Sequence, residues 1–189
     1  MIIILEGMSA VGKTTIQKEL ANILQKKHIK YRLVNEKEIL PPDTFANPDP
    51  PKSIAFLTNF LHSCNDKNEV IICDRLHLSH IAITNASDKE MVKIEQELLK
   101  CDPLLVLLVI DKQVIKKRLE DSIQYRGPSW VEELTKRGKD RDSSIKWFIG
   151  TQKRLQDLYN QSCIPKMLFD TTDSNFSEIA NQIVSHLHY

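Results

Sequence analysis

Several features that would assign the chain to a particular class of protein are missing from its sequence. No stretch approaches the 18 or more apolar residues of a membrane-spanning helix, and the first residues lack the basic segment and longer apolar run of a secretion signal. The four cysteines (Cys64, Cys73, Cys101 and Cys163) are widely spaced without a C-x-x-C pair, so neither a zinc site nor a disulfide framework is indicated. We therefore expect a cytoplasmic protein with reduced thiols.

An excess of charge and an internal repeat are missing as well. The formal net charge is only +1, which gives no reason to expect a long-range attraction to nucleic acid or to an anionic membrane. With 189 residues and 41% hydrophobic content, the chain has the size and composition of a single domain spanning residues 1–189. We expect its partners to be small molecules, with no nucleic acid and no membrane among them.

What the sequence does contain is a phosphate-binding motif at its start. The segment MIIILEGMSAVGKTT fits G-x-x-x-x-G-K-[ST] without a gap, at Gly7, Gly12, Lys13 and Thr14. The apolar run at residues 2–5 indicates a buried strand before the motif, and an apolar stripe at helical spacing follows it. An ordinary glycine-rich turn before a helix is the alternative, but the motif occurs in the strand–loop–helix context that a phosphate-binding loop requires.

Each residue type in the motif has a physical role. The glycines let backbone N–H groups turn inward toward phosphate oxygens, and the helix that begins near Lys13 adds its free donors and the positive end of its dipole. Lys13 would reach the β- and γ-phosphates of ATP, and the Thr14 hydroxyl would ligate Mg²⁺. We expect the nucleotide to be held by Gly7, Ser9, Ala10, Val11, Gly12, Lys13, Thr14 and Thr15.

Strands and helices alternate along the rest of the chain. Further strands are predicted at residues 31–35, 70–73, 104–110 and 165–170. Helices are predicted up to residue 27 and at residues 52–64, 78–86, 88–100, 144–161 and after residue 175, with one more from Asp111. This alternation predicts an α/β fold with a parallel sheet that is covered on both sides. The prolines between residues 41 and 51 predict an irregular connection there.

Charged residues follow two of these strands. Asp74 and Arg75 come directly after an apolar strand, which places them at the carboxyl edge of the sheet, where ligands bind in open α/β folds. Glu36 follows the second strand and is either an ordinary surface residue or a group directed at the phosphate acceptor. His77 and His80 have a spacing that suits a metal, but no third ligand accompanies them.

The segment from about residue 122 to 142 is dense in charges and turn residues. Arg126, Lys136, Arg137, Lys139 and Arg141 lie in it, and acidic residues balance them. A solvated charged surface is one interpretation. The other, which we favour, is a lid that excludes water and brings cations to the transferring phosphoryl group.

Motifs of other phosphate-loop proteins are absent. No D-x-x-G follows the third strand and no N-K-x-D lies near the fourth, which argues against a GTPase. No apolar strand ends in paired acidic residues, which argues against a motor or transporter subunit. A small phosphotransferase remains.

Three segments of the sequence together resemble the thymidylate kinase and deoxynucleoside kinase superfamily: LEGMSAVGKTT, CDRLHLSH and VIDKQVIKKRL. LFDTTD near the C-terminus is similar to the superfamily's last strand and adenine-side turn. The resemblance implies a three-layer α/β/α sandwich with a five-stranded parallel sheet in the order 2-3-1-4-5, a lid after strand 4, and Mg²⁺-ATP as donor. It implies that Asp74 lies at the metal and acceptor, that Arg75 orients the acceptor or the transferring phosphoryl group, and that Arg118 and Arg126 are lid arginines. Glu36 matches the position of a glutamate near the acceptor hydroxyl. Members are often dimers, so a homodimer is possible.

Two departures from the thymidylate kinase pattern bear on the acceptor. Ser9 stands where those enzymes have an aspartate, and residues 35–38 (NEKE) replace their R-E-P-G-G segment. The acceptor is thus a nucleoside, a nucleoside monophosphate or a related small molecule. A kinase of other small molecules or antibiotics would differ mainly around Glu36, Phe45, Phe56 and Phe60, and a non-catalytic nucleotide-binding switch is a further alternative.

Overall fold

The five predicted strands form one parallel sheet. The computed structural model describes residues 1–39, 48–64, 66, 68–127, 130–132, 134 and 140–187. The strands are β1 (Ile2–Glu6), β2 (Tyr31–Val34), β3 (Val70–Asp74), β4 (Pro103–Val109) and β5 (Lys166–Asp170). Their order is β2-β3-β1-β4-β5 with every neighbouring pair parallel, which confirms the predicted fold class.

Helices cover both faces of the sheet. They are α1 (Lys13–Lys26), α2 (Glu36–Ile39), α3 (Pro50–His62), α4 (His77–Thr84), α5 (Asp88–Leu98), α6 (Lys112–Arg126), α7 (Arg141–Gln161) and α8 (Phe176–Ser185). A short 3₁₀ turn, Leu99–Cys101, follows α5. Within the described residues no helix is both long enough and apolar enough to cross a bilayer.

The alternation of side chains along β1 divides the core into two layers. Ile2 and Ile4 point to one face, where they pack with residues of α3, α4, α5 and the second half of α7. Ile3 and Leu5 point to the other face, where they pack with α1, α6 and α8. Every residue of β1 and of β4 is buried, because a central strand of a parallel sheet has helices on both sides.

Two helices differ from the prediction at their N-termini, one in its first residue and the other in its N-cap. Pro50 and Pro51, which we assigned to an irregular connection, are the first two residues of α3, where the N–H that proline lacks has no partner in any case. Asp49 caps this helix by accepting a hydrogen bond from the backbone N–H of Lys52 at 3.0 Å. Asp88, at the start of the predicted helix 88–100, is a residue type that favours the N-cap, but the N-cap of α5 is Ser87.

Two further details differ from the sequence pattern. The apolar pattern of residues 144–161 predicts that Trp147 faces inward together with Phe148, but its exposure is 39% whereas that of Phe148 is 2%. Successive residues of a helix point about 100° apart, so Phe148 takes the core position, and Trp147 lies beside it with its ring edge-on at 4.9 Å. Asn175 and Glu178 have the spacing of a capping pair, which predicts side-chain bonds at the start of the last helix. This prediction is wrong, because Asn175 is the N-cap of α8 but makes no side-chain capping bond.

Candidate active site

A loop of residues 7–12 joins the carboxyl end of β1 to the start of α1, and its two glycines are needed for its shape. Gly7 has φ +147° and a Cβ there would lie 2.6 Å from the carbonyl oxygen of Leu108. Gly12 has φ +99° and a Cβ there would lie 2.2 Å from the ring of Phe176. The loop therefore packs against β4 on one side and α8 on the other. The first turn of α1 faces an open cleft.

Lys13 lies under this loop. Its Nζ donates to the carbonyl oxygens of Gly7 and Met8, both at 2.9 Å, and lies 4.0 Å from Oδ1 of Asp74. Burial of the ammonium, helped by the nearby positive charge of Arg75, lowers the pKa of Lys13 to about 8. An anion bound in the loop would favour the charged form of Lys13, because it would place a negative charge beside the buried ammonium.

Asp74, the last residue of β3, faces the first turn of α1. Its Oδ2 accepts a hydrogen bond from the Thr14 hydroxyl at 3.4 Å. Its Oδ1 is buried and has no hydrogen-bond partner among the described residues, although Lys13 lies 4.0 Å away. A carboxylate oxygen without a donor, next to a threonine hydroxyl, is the oxygen ligand set that Mg²⁺ uses beside nucleotide phosphates, so these residues fit that ion.

Arg75 links three parts of the site. Its Nε lies 3.2 Å from Oε1 of Glu36. One terminal nitrogen donates to the carbonyl oxygen of Gly7 at 3.1 Å and to Oγ of Ser79 at 3.3 Å, and the other donates to Oγ of Ser9 at 3.3 Å. The guanidinium is therefore fixed between the phosphate-binding loop, the end of β2 and the first turn of α4.

Glu6, which the sequence reasoning missed, holds Ser79, one of the hydrogen-bond partners of Arg75. The side chain is fully buried, and its carboxylate accepts from the backbone N–H groups of Leu76 and Ser79 and, at 2.5 Å, from the Ser79 hydroxyl. Because the Ser79 hydroxyl donates to Glu6, its lone pairs face Arg75. A charged residue directly before the first glycine of the motif, at the end of an otherwise apolar strand, was the signal in the sequence.

Arg118, expected to be a lid arginine, binds the turn that follows β5. Its guanidinium donates to the carbonyl oxygens of Thr171 at 2.7 Å and Thr172 at 3.0 Å and to Oγ of Ser174 at 2.8 Å, and it lies 5.9 Å from the centre of the Phe176 ring. It therefore fixes the turn between β5 and α8 that borders the loop.

Thr171 in the same turn was not among the predicted site residues, although it lies in LFDTTD, the segment that resembles the last strand and adenine-side turn of the superfamily. It is fully buried, and its hydroxyl donates to the carbonyl oxygen of Val11 at 2.7 Å. Its backbone N–H donates to Val109 at 2.8 Å. The turn after β5 is thus attached directly to the phosphate-binding loop, and a threonine after a strand gives no sequence signal for that contact.

The site opens into a cleft of about 1480 Å³. All six residues expected to act in catalysis line it: Lys13, Glu36, Asp74, Arg75, Arg118 and Arg126. Of the predicted nucleotide-binding residues, Ser9, Ala10, Gly12, Lys13, Thr14 and Thr15 also line it. Val11 is instead buried in the core. The volume exceeds the roughly 300–1,000 Å³ of a pocket for one small ligand, which leaves room for a donor and an acceptor.

The predicted lid lies only partly within the described residues. Residues 122–126 form the last turns of α6, and Arg126, at its end, lines the cleft. Lys136, Arg137 and Lys139 lie outside the described residues, as does Phe45 on the acceptor side. Phe56 and Phe60 are half-buried in α3 and are not among the residues that line the cleft.

The two histidines after Arg75 have structural partners. His77 Nε2 lies 3.2 Å from Oε1 of the buried Glu95, and His80 Nδ1 lies 2.6 Å from the hydroxyl of Ser53. Burial lowers the pKa of His80 to about 3, so its ring is neutral at physiological pH. Over the part of the chain that the structure describes, no three acidic, histidine or cysteine side chains converge as metal ligands.

Together the sheet order, the glycine-bounded loop and the converging charges define a P-loop protein of the nucleoside kinase fold. The solved structures that are similar over essentially the whole chain include the following two. The YorR protein from Bacillus subtilis, in complex with phosphorylated GDP, is 22% identical with a TM-score of 0.65 and 100% coverage of both chains. Deoxyadenosine kinase from M. mycoides with bound dATP is 15% identical with a TM-score of 0.60, over 98% of this chain and 100% of that chain.

The same deoxyadenosine kinase with bound dCTP is 18% identical with a TM-score of 0.56, over 99% of this chain and 100% of that chain. No protein-family model matches the sequence, and no curated protein matches it. At these identities the structural likeness establishes the fold, which is the fold of the superfamily that the sequence motifs resemble.

Proposed function

We propose that the protein is an ATP-dependent kinase that transfers the γ-phosphoryl group of Mg²⁺-ATP to a hydroxyl of a nucleoside or of a related small molecule. The observation that carries this proposal is the ion pair between Glu36 and Arg75, which lies in the same cleft as Lys13. A carboxylate and a fixed guanidinium beside a phosphate-binding loop provide a proton acceptor and a charge stabiliser for phosphoryl transfer.

The donor side of the site would be built by the loop and the first turn of α1. The backbone N–H groups of residues 7–12 and Lys13 would bind the phosphates, and Thr14 and Asp74 would hold Mg²⁺. When bound, Mg²⁺ neutralises charge on the donor phosphates. Lys13 already lies beneath the loop as a cation, so the site is preorganised for an anion.

The acceptor side favours a hydroxyl over a phosphate. Arg75 is held in place by Glu36, Gly7, Ser9 and Ser79 and would face the transferring phosphoryl group, so it does not supply a separate cation for a phosphate on the acceptor. The Glu36 carboxylate is about one-third exposed, at 35%, and would repel a 5′-monophosphate placed beside it. A hydroxyl group, in contrast, can donate its proton to that carboxylate.

In the proposed reaction the hydroxyl oxygen of the acceptor forms a bond to the γ-phosphorus. The bond between that phosphorus and the bridging oxygen of ATP breaks, and the electron pair leaves with ADP. Glu36 takes the hydroxyl proton, and Arg75 faces the charge on the transferring group. Because phosphoryl transfer relies mainly on positioning and charge, no covalent intermediate with the protein is required.

The similar structures support a nucleoside or nucleotide as the ligand class. One of them is a deoxyadenosine kinase with bound dATP or dCTP, and another holds phosphorylated GDP. The proposal includes a lid at residues 122–142, in which Arg126 contacts the phosphoryl group. It also includes a cytoplasmic location and a homodimer.

A panel of acceptors tests the proposal directly. The purified protein is incubated with Mg²⁺-ATP and, separately, with nucleosides, deoxynucleosides and their monophosphates, while ADP release is followed. We expect turnover with members of the nucleoside classes and little with monophosphates. Turnover confined to monophosphates would refute the hydroxyl acceptor, and ATP binding without turnover on any acceptor, including small hydroxylated metabolites, would refute the kinase and favour a nucleotide-binding switch.

A further inference from the structure

Arg126 is held by an aromatic ring that lies only four residues further along the chain. The guanidinium carbon lies 4.4 Å from the centre of the Trp130 ring. Gly127 ends α6 with φ +74°, and its carbonyl oxygen accepts a hydrogen bond from the N–H of Trp130 at 3.1 Å. This tight turn folds the tryptophan back onto the arginine.

The ring of Trp130 is itself fixed on two sides. Its Nε1–H donates to Oγ of Ser122 at 2.8 Å, and the Ser122 hydroxyl donates to the carbonyl oxygen of Leu119 at 2.6 Å. The ring centre lies 6.5 Å from that of the buried Phe148 in α7. Trp130 therefore has a definite orientation, set by α6 and α7, before it contacts Arg126.

Without the contact with Trp130, the surroundings of Arg126 would favour movement of its side chain out of the cleft. It lines the same cleft as Arg75, and burial together with the charge of Arg75 lowers the pKa of Arg126, while Asp74 and Glu36 act in the opposite sense. A long side chain next to another cation gains both entropy and hydration by turning into water. The electron-rich face of a tryptophan attracts a guanidinium and opposes that movement.

We propose that Trp130 is a positioning residue of the transfer reaction, which keeps the Arg126 guanidinium over the cleft where charge develops on the transferring phosphoryl group. This inference rests on the proposed kinase function. In this inference Trp130 acts on the reaction only through Arg126. Removal of the Trp130 ring should therefore slow the chemical step without lowering the affinity for the nucleotide.

Four variants test the inference by their effect on turnover: Trp130→Leu, Trp130→Phe, Arg126→Ala and the double variant Trp130→Leu/Arg126→Ala. We expect Trp130→Leu to lower kcat by about tenfold, the size of one cation–π contact, with the KM for ATP changed less than about twofold. Trp130→Phe retains a ring face without the N–H group and should restore most of the rate. In the Arg126→Ala background, Trp130→Leu should have little further effect.

Tyr159 provides a matched control. Its ring has a cation–π contact with Lys166, whose Nζ lies 5.0 Å from the ring centre, and neither residue is among those that line the cleft. Tyr159→Leu should leave kcat within about twofold of the wild type, because this contact lies away from the reacting groups. The melting temperature of each variant shows whether it is folded.

Three results would overturn the inference while leaving the kinase function intact. They are an unchanged kcat in Trp130→Leu, an equal loss from Trp130→Leu with and without Arg126, and a loss in Trp130→Phe as large as in Trp130→Leu. If the wild type has no turnover, the proposed function fails, and the contact is tested by Trp130 fluorescence in a Trp147→Phe protein titrated with Mg²⁺-ADP. The role in transfer then fails with the kinase function. An emission change that persists in Arg126→Ala would overturn the contact as well, and one that disappears would support the contact alone.

Discussion

The Nε of Arg75 and the Oε1 of Glu36 lie 3.2 Å apart, although the two residues are 39 positions apart in the sequence. They meet because β2 and β3 are neighbouring parallel strands, so the residues that follow each strand emerge at the same edge of the sheet. The ion pair holds a carboxylate next to the phosphate-binding loop and uses the charge of Arg75 to keep it there.

Glu36→Gln tests the carboxylate as the proton acceptor. The amide keeps the size of the side chain but cannot take a proton, so we expect kcat to fall by about 10²- to 10⁴-fold with little change in the KM for ATP. Glu38→Gln is the matched control, because Glu38 is exposed, bonds to the N–H of Asn35 and does not line the cleft. Equal rates in Glu36→Gln and the wild type would show that Glu36 takes no part in the chemistry.

The low pKa of Lys13 predicts a pH dependence of ATP binding. The charged ammonium attracts the phosphates, and it loses its proton in the free protein as the pH rises through about 8. We therefore expect an ATP affinity that is nearly constant below that pH and decreases above it by up to about tenfold per pH unit. Calorimetric titrations between about pH 7 and 9.5 measure this.

Lys13→Ala provides the control for the pH titration. It should bind ATP weakly at every pH and lack the decrease on the alkaline side, because the titrating group has been removed. An affinity of the wild type that stays flat across the range would contradict the assignment of this decrease to Lys13. Transfer itself should be abolished in this variant, since the cation beneath the loop is lost.

Two glycine substitutions should change stability in opposite directions. In Gly12→Ala the Cβ would lie 2.2 Å from the Phe176 ring, at a φ of +99° that alanine rarely adopts, so we expect a loss on the order of 1–3 kcal/mol in the free energy of unfolding. Gly150, inside α7, has nothing within 4 Å of a Cβ, so Gly150→Ala should gain up to about 1 kcal/mol. Urea unfolding measures both, and a destabilised Gly150→Ala would contradict the open surroundings of that position.

Glu6→Gln tests the support beneath Arg75. The glutamine can accept from the backbone N–H groups of Leu76 and Ser79, but its NH₂ group then faces the Ser79 hydroxyl, which can no longer donate there. We expect a loss of about 1–3 kcal/mol in the free energy of unfolding, together with a lower kcat because Ser79 no longer fixes Arg75. A variant as stable and active as the wild type would show that the carboxylate is not required.

Much of the fold follows from local sequence patterns. The run VIIC before Asp74 is apolar throughout because β3 is covered on both faces, and the same reason explains LLVLLV in β4. These runs gave the strands within one or two residues, and the G-x-x-x-x-G-K-T motif placed the loop. Local patterns were less informative about helix starts, since Pro50 and Pro51 fit a loop as well as the first turn of a helix.

The contacts within the site depended on the packing of distant segments. The sequence placed Asp74 and Arg75 at the carboxyl edge of the sheet, Glu36 after the second strand and Arg126 in a lid segment. Their contacts with one another and their place in one cleft with Lys13 depend on the packing of the sheet and helices. Trp147 shows the same limit: periodicity alone put it in the core, whereas its neighbour Phe148 occupies that place.

By itself, the sequence determined the class of fold, the phosphate-binding loop and the residue types available for phosphoryl transfer, because these depend on periodicity and on short motifs that act locally. The tertiary structure decided how Glu6 holds Ser79 and Arg75, how Arg118 holds the turn after β5, and how Trp130 holds Arg126. Each of these contacts depends on the direction of a side chain relative to a segment elsewhere in space. That direction is set by the packing of the sheet and helices, which no local pattern encodes.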